Sequence, residues 1–282
     1  MPELPEVEVV RRGIETHALN ARVTAVEVLN PRAVRGHEAG AKDFAARLTG
    51  AHFTQVCRRG KFLWLPLDQD CLVVHLGMSG QVLVQRPAAS PTPHTRIIIR
   101  LGARRPTLFF DDQRTFGGMH ISPLVVADDG RTVPASAAHI AADPFEECYD
   151  IDAVASTLRA RSAGIKSLLL NQSIVSGIGN IYADEALWRA RVHWRTSGQE
   201  LSQKKALALL ASAREVMSEA LDSGGTSFDS LYVNVNGQSG YFSRALIAYG
   251  REGEPCRRCG SLIRREPFAN RSSFRCPRCQ RG

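Results

Sequence analysis

Phe62-Leu63-Trp64-Leu65-Pro66-Leu67, then Asp68-Gln69-Asp70, then Cys71-Leu72-Val73-Val74-His75-Leu76: two apolar runs flank a short polar interruption. Runs of this length, rich in branched and aromatic side chains and bounded by turn formers, read as β-strands. The same signature returns at 23–29, 81–85 and 96–101. Several such strands at short spacing across about residues 22–125 predict antiparallel sheets arranged as a sandwich or a barrel.

The pattern changes on both sides of this region. Toward the N-terminus, Val7, Val10 and Ile14 recur at helical spacing, with Glu6 and Glu8 in the first turn, where the helix dipole favours anions. The spacing predicts a helix over 5–19. Toward the C-terminus, 127–150 is rich in Asp, Pro, Ala and Gly and reads as a linker. Helical windows follow at 151–161, 165–170, 181–190 and 203–221. The chain of 282 residues is long enough for two compact domains and a small appendage, and 44% hydrophobic content excludes wholesale disorder. The class is α+β, with domains expected at 1–130, 131–250 and 251–282.

The appendage is defined by Cys256-Arg257-Arg258-Cys259, sixteen intervening residues, and Cys276-Pro277-Arg278-Cys279. Two C-x2-C turns at this separation supply four thiolates to a tetrahedral zinc ion. With sulfur at all four positions no site is left for a reactive water, so the zinc is structural and the chemistry lies elsewhere. So short a segment cannot build much core, and the metal takes its place. Cys57, Cys71 and Cys148 are scattered and read as ordinary small apolar residues.

Charge points to the partner. Residues 251–282 carry nine arginines against three glutamates, +6 of the chain's +8, and no lysine. Arginine's planar fork suits phosphate and base edges, so a nucleic acid is expected there. The acidic and basic residues of the first twenty positions exclude a signal-peptide core, and no apolar run reaches the length of a membrane span. A cytoplasmic, nucleoid-associated monomer is expected.

Met1-Pro2-Glu3-Leu4-Pro5-Glu6 is chemically unusual. A small second residue permits removal of the initiator Met, which exposes the secondary amine of Pro2. An α-amino group titrates near about 7.7–8.0 against about 10.4 for lysine, so roughly a tenth of it is a free nucleophile at pH 7. Bonded to a sugar carbon, such an amine gives an iminium ion after base loss, an electron sink beside which Glu3 is placed to shuttle protons.

The opening Pro2-Glu3-Leu4-Pro5-Glu6-Val7-Glu8, together with His75-Leu76-Gly77-Met78-Ser79-Gly80, Gly177-Ile178-Gly179-Asn180-Ile181-Tyr182-Ala183 and the four-cysteine finger, resembles formamidopyrimidine-DNA glycosylase across nearly the whole chain. The resemblance implies a β-sandwich lobe with the N-terminal helix, a helix-two-turn-helix lobe, a C-terminal zinc ribbon, and double-stranded DNA with an oxidised base or abasic site as substrate. It implies excision of an oxidised purine through a Schiff base on Pro2, followed by β and δ elimination. Glu3 would donate a proton during base loss, Lys61 would serve the elimination chemistry, and Arg271 would contact phosphate and assist δ elimination. Met78, Arg114 and Phe116 match residues inserted into the space left by the flipped base. His75, His94, Arg161, Lys166 and Asn180 match positions that touch the DNA backbone. Where the family usually reads Asp-Pro-Arg-Arg-Phe-Gly, this chain has Asp112-Gln113-Arg114-Thr115-Phe116-Gly117, which leaves the loop's conformation open. Ser239-Gly240-Tyr241-Phe242 matches a loop over the flipped base. Two alternatives stand beside this reading: a relative specific for oxidised pyrimidines, and a non-catalytic DNA-binding protein.

Overall fold

The computed structural model describes residues 2–225, 235 and 245–281. By backbone contacts the chain forms two units, one of residues 1–139 and 224–241, the other of 140–223 and 242–282.

In the first unit, helix α1 (Leu4–Ala18) precedes the strands β1 (Ala21–Arg22) and β2 (Ala25–Val28), helix α2 (Gly40–Leu48) and nine further strands. These are β3 (His52–Phe53), β4 (Cys57–Arg59), β5 (Phe62–Leu67), β6 (Asp70–His75), β7 (Gly80–Gln85), β8 (Thr95–Arg100), β9 (Thr107–Asp112), β10 (Gly118–Val126) and β11 (Thr132–Pro134). A five-stranded sheet runs β11-β10-β6-β5-β4 and a four-stranded sheet β2-β8-β9-β7, both antiparallel. The sandwich is therefore realised and the barrel is not.

Side-chain alternation explains why the strand runs look continuously apolar. Leu63, Leu65, Leu72 and Val74 face a core shared with Val82, Ile97, Ile99 and Phe110 of the other sheet and with Val7, Val10 and Ile14 of α1. Trp64, Cys71 and Val73 point the other way, into a second cluster with Val133. Successive residues of a strand face opposite sides, so a sheet covered on both faces needs apolar residues at every position.

Two expectations for this region need correction. Helix α2 lies inside the stretch read as strands; it is amphipathic, burying Phe44 and Leu48 one turn apart. The segment read as a linker from 127 contains β11, whose Val133 pairs with Val125 and is buried, so the sheet continues past 130 and the division falls after His139.

The second unit holds α3 (Ile151–Arg159), α4 (Ile165–Leu169), α5 (Asn180–Ala190), α6 (Gln203–Asp222) and the hairpin β12 (Arg264–Phe268) and β13 (Arg271–Arg275). Asp150 caps α3 by accepting the Asp152 and Ala153 N–H groups, and Ser202 caps α6 through Lys205. Contacts group the ribbon with these helices rather than setting it apart: Trp188 and Ala248 share a core with Cys256, Ile263 and Cys276. No helix among the described residues is long and apolar enough to cross a membrane.

Candidate active site and nucleic-acid interface

Pro2 and Glu3 are buried at the start of α1. The Glu6 carboxylate accepts the Glu3 backbone N–H at 2.9 Å, which fixes the peptide beside the Pro2 nitrogen. One turn on, Glu8 Oε2 lies 2.9 Å from Arg58 Nε, and Arg58 Nη1 donates to the Gly60 carbonyl at 3.1 Å. Burial works to raise the Glu8 carboxyl, but hydrogen bonds and charge from Arg11 and Arg58 outweigh it and hold the group below the usual carboxylate range. Lys61 follows Gly60 in the two-residue turn between paired Arg59 and Phe62; Gly60 takes φ +53°, a conformation that favours glycine. Arg59, fully buried, is held by Asp129 at 2.6 Å. Helix start and lysine turn are thus joined through Glu8, Arg58 and Gly60.

Met78 and Phe116 are 42% and 41% exposed, unusual for large apolar side chains, and the Arg114 guanidinium lies 5.2 Å from the Phe116 ring centre. Their two loops touch backbone to backbone. A Cβ on Gly77 would come within 2.5 Å of the Gly117 nitrogen, and one on Gly117 within 2.6 Å of the His75 carbonyl. Gly77, at φ +62°, is required on both counts.

His75 ends β6 beside Phe62, with ring centres 5.4 Å apart, and lines a recess of about 240 Å³ with Arg35, Met119 and His120. Its Nδ1 is buried without a hydrogen-bond partner. Burial, then the charges of Arg35 and Lys61, push its pKa below the ordinary histidine value, so the ring is neutral at pH 7. His94 is exposed, while its carbonyl accepts the Asp112 N–H at 2.9 Å.

In the second unit Arg161 is exposed just beyond α3, and Arg271 is exposed at the start of β13, beside the hairpin turn Ala269-Asn270. Asn180, the first residue of α5, donates through Nδ2 to the Ser272 carbonyl at 3.0 Å and keeps its Oδ1 buried and unpartnered. The preceding glycine turn is shaped by Gln172, which accepts the Gly177 N–H and donates to the Leu170 and Ile178 carbonyls. Lys166 does not fit its expected place on the DNA backbone: it is 0% exposed, with Nζ 2.7 Å from Asp184 Oδ1 and 3.2 Å from the Ser272 carbonyl. Asp184 also accepts the Ser273 hydroxyl and the Phe274 N–H, both at 2.9 Å. The buried ammonium therefore acts on the hairpin behind Arg271, because a charge with no access to solvent must be satisfied inside. Ser239-Gly240-Tyr241-Phe242 lie outside the described residues.

Cys256, Cys259, Cys276 and Cys279 bring their four sulfurs within 4.8 Å of one another. Zinc–sulfur bonds of about 2.3 Å in a tetrahedron demand sulfur separations of about 3.8 Å, so the donor set fits one structural zinc ion. Trp188 Nε1 donates to Cys256 Sγ at 3.4 Å, and Arg258 stacks 3.7 Å from the Trp188 ring while donating to the Trp188 and Arg189 carbonyls at the end of α5. Glu185 accepts the N–H groups of Ile247, Ala248 and Tyr249, which ties the segment entering the ribbon to the same helix.

Sequence reasoning missed Arg35, Asp112, Asp184, Glu185 and Trp188. Arg35, Asp184, Glu185 and Trp188 find their partners at distant positions that no local pattern announces, and Asp112 holds the N–H groups of its own turn.

Three families match in chain order: formamidopyrimidine-DNA glycosylase N-terminal domain at residues 1–119, formamidopyrimidine-DNA glycosylase H2TH domain at 140–231, and the zinc finger found in FPG and IleRS at 253–282. The formamidopyrimidine-DNA glycosylase of Rhodococcus erythropolis is 56% identical, covering 99% of this chain and 97% of its own. That of Mycobacterium avium is 57% identical, covering 99% and 98%. The chain belongs to the formamidopyrimidine-DNA glycosylase family. As a member it is a DNA glycosylase, and its fold agrees with solved members. A Lactococcus lactis FPG mutant in complex with a Fapy-dG containing DNA has TM-score 0.87 at 30% identity, covering all of both chains. MutM in complex with carbocyclic 8-oxo-G containing DNA has TM-score 0.86 at 30% identity, again over all of both chains.

Proposed function

We propose that this glycosylase removes oxidised purines, 8-oxoguanine and formamidopyrimidines, from duplex DNA in base excision repair, and then cleaves the abasic site as a lyase. The observation that carries the reading is the buried Pro2-Glu3 pair held at the start of α1, in the same unit as the exposed Met78, Arg114 and Phe116. The Pro2 nitrogen bonds to C1′ as the glycosidic bond breaks; Glu3 supplies a proton during base loss, and opening of the sugar leaves an iminium ion. Removal of a C2′ proton then expels the 3′ phosphate, and a second elimination expels the 5′ phosphate. Lys61 and Arg271 serve these eliminations, and the three inserted side chains fill the vacated stack.

The first unit, through residue 139, carries the nucleophile and the wedge; the helices that follow from residue 140 grip the backbone through Arg161 and Asn180, and the ribbon 251–282 presents Arg271. His75 and His94 add backbone contacts from the first unit. The working form is a monomer in the cytoplasm, on the nucleoid.

Borohydride reduction during turnover traps a covalent adduct with lesion DNA in wild type, and Pro2→Gly traps far less. Equal trapping by the two would move the nucleophile to a lysine. Mass spectrometry of the active protein must find Pro2 unblocked. Faster excision of thymine glycol than of 8-oxoguanine would replace the purine assignment with the pyrimidine one.

A further inference from the structure

The two loops that carry Met78 and the Arg114–Phe116 pair are bound to each other through the buried side chains of Ser79 and Asp112. Asp112, 0% exposed at the end of β9, accepts the Thr115 N–H on Oδ1 at 2.9 Å, the Arg114 N–H on Oδ1 at 3.1 Å and the Gly117 N–H on Oδ2 at 2.7 Å. The same Oδ1 accepts the hydroxyl of Ser79, next to Met78, at 2.5 Å. From the other side Arg35 takes the carbonyls: Thr115 at 3.2 Å, Phe116 at 2.7 Å and Gly117 at 2.9 Å. Six of the eight polar backbone groups from 114 to 117 are thus claimed by one of two charged side chains.

We propose that Asp112 and Arg35, linked through Ser79 to the neighbouring loop, are positioning residues that make Met78, Arg114 and Phe116 a single preformed wedge. The inference rests on the wedge reading given above and goes beyond it by naming what holds the wedge in shape.

Two observations and one physical argument favour such a clamp. Thr115 sits at φ +53°, a conformation that β-branched residues avoid, so the loop does not hold this shape by local preference. The departure at Gln113 removes the ring that would fix φ there, and leaves the carboxylate and guanidinium to define the turn. Finally, an apolar side chain that must enter a base stack gains from being ordered beforehand, because ordering during insertion costs conformational entropy at the step that needs free energy.

The test separates insertion from chemistry. Ser79→Ala removes the side-chain link between the loops, and Arg35→Gln removes the fork on the carbonyls; neither residue belongs to the proposed catalytic or DNA-contacting set. Duplexes carry 8-oxoguanine with 2-aminopurine beside it, whose fluorescence rises when the stack is opened and refilled. Single-stranded DNA with an abasic site, which has no stack to refill, reports Schiff-base formation by borohydride trapping. Each variant should slow the fluorescence step and duplex excision together by about tenfold, while trapping on the single strand stays within twofold and circular dichroism shows the protein still folded at the assay temperature. Arg35→Lys should recover little, since a single ammonium cannot span three carbonyls. The proposal is overturned if both variants insert at the wild-type rate, or if single-strand trapping falls as much as duplex excision. A wild-type protein that gave no fluorescence step would instead remove the wedge reading itself.

Discussion

Glu8 Oε2 and Arg58 Nε stand 2.9 Å apart with both side chains largely buried, and this pair joins helix α1 to the strand that ends in the Lys61 turn. Breaking a buried pair by removing one partner leaves an uncompensated charge and costs on the order of 3 kcal/mol or more. Glu8→Ala should therefore lower stability by about that amount in urea unfolding, and the loss should appear only above the acid range. The sign follows from the carboxyl's lowered pKa: its contribution is fully present above its unfolded value and fades as pH falls through the folded one. An unchanged unfolding midpoint at pH 7 would deny the pair its structural role.

His75 should take up a proton when DNA binds. Its folded pKa is depressed by burial and by Arg35 and Lys61, so it binds fewer protons than in the unfolded chain; stability from this group is present above the unfolded value and lost as pH falls toward the folded one. A phosphate near the buried Nδ1 favours the charged ring and reverses part of that shift. Calorimetric binding enthalpies at pH 6.5 should then depend on the buffer's ionisation heat, and His75→Gln should weaken this dependence. Buffer-independent enthalpies in wild type would reject the contact.

The sandwich was legible because strands covered on both faces must be apolar throughout, as the 62–67 and 71–76 runs are. The zinc cysteines were legible because ligand geometry fixes their spacing. Lys166 was misplaced for a physical reason: one lysine letter serves equally for a phosphate contact and for a buried pair, and the difference lies in Asp184, eighteen positions on and brought near only by folding. Asp112 and Arg35 were illegible as a clamp because, Ser79 apart, their partners are main-chain atoms, which every sequence possesses.

Arg271 and Lys166 should separate cleanly. Arg271 is exposed, so Arg271→Ala should leave the unfolding free energy within about 0.5 kcal/mol of wild type, while lowering the yield of the second elimination product on abasic DNA. Lys166→Ala strands Asp184, a fully buried carboxylate that burial already pushes up to about 6, and should cost on the order of 3 kcal/mol in the second unit. The measurements are product analysis on abasic DNA and denaturant unfolding. A folded, fully stable Lys166→Ala would show that the pair is dispensable.

Zinc removal should disable DNA binding before it disturbs the sandwich. Cys256 accepts from Trp188 of α5, and its neighbour Arg258 caps that helix, so the metal turn and the helix end support each other. Among the described residues, the core that holds Leu63, Val74 and Ile97 is built from the first unit alone. Cys256→Ser should lose zinc by direct metal assay and should weaken binding to lesion duplex at least tenfold. The β-sheet signal in circular dichroism should stay, and Trp188 emission should shift as its indole loses the sulfur partner. A zinc-free protein that bound DNA with wild-type affinity would relieve the ribbon of the role given to it, because the +6 charge of residues 251–282 would then act without the hairpin geometry that presents Arg271.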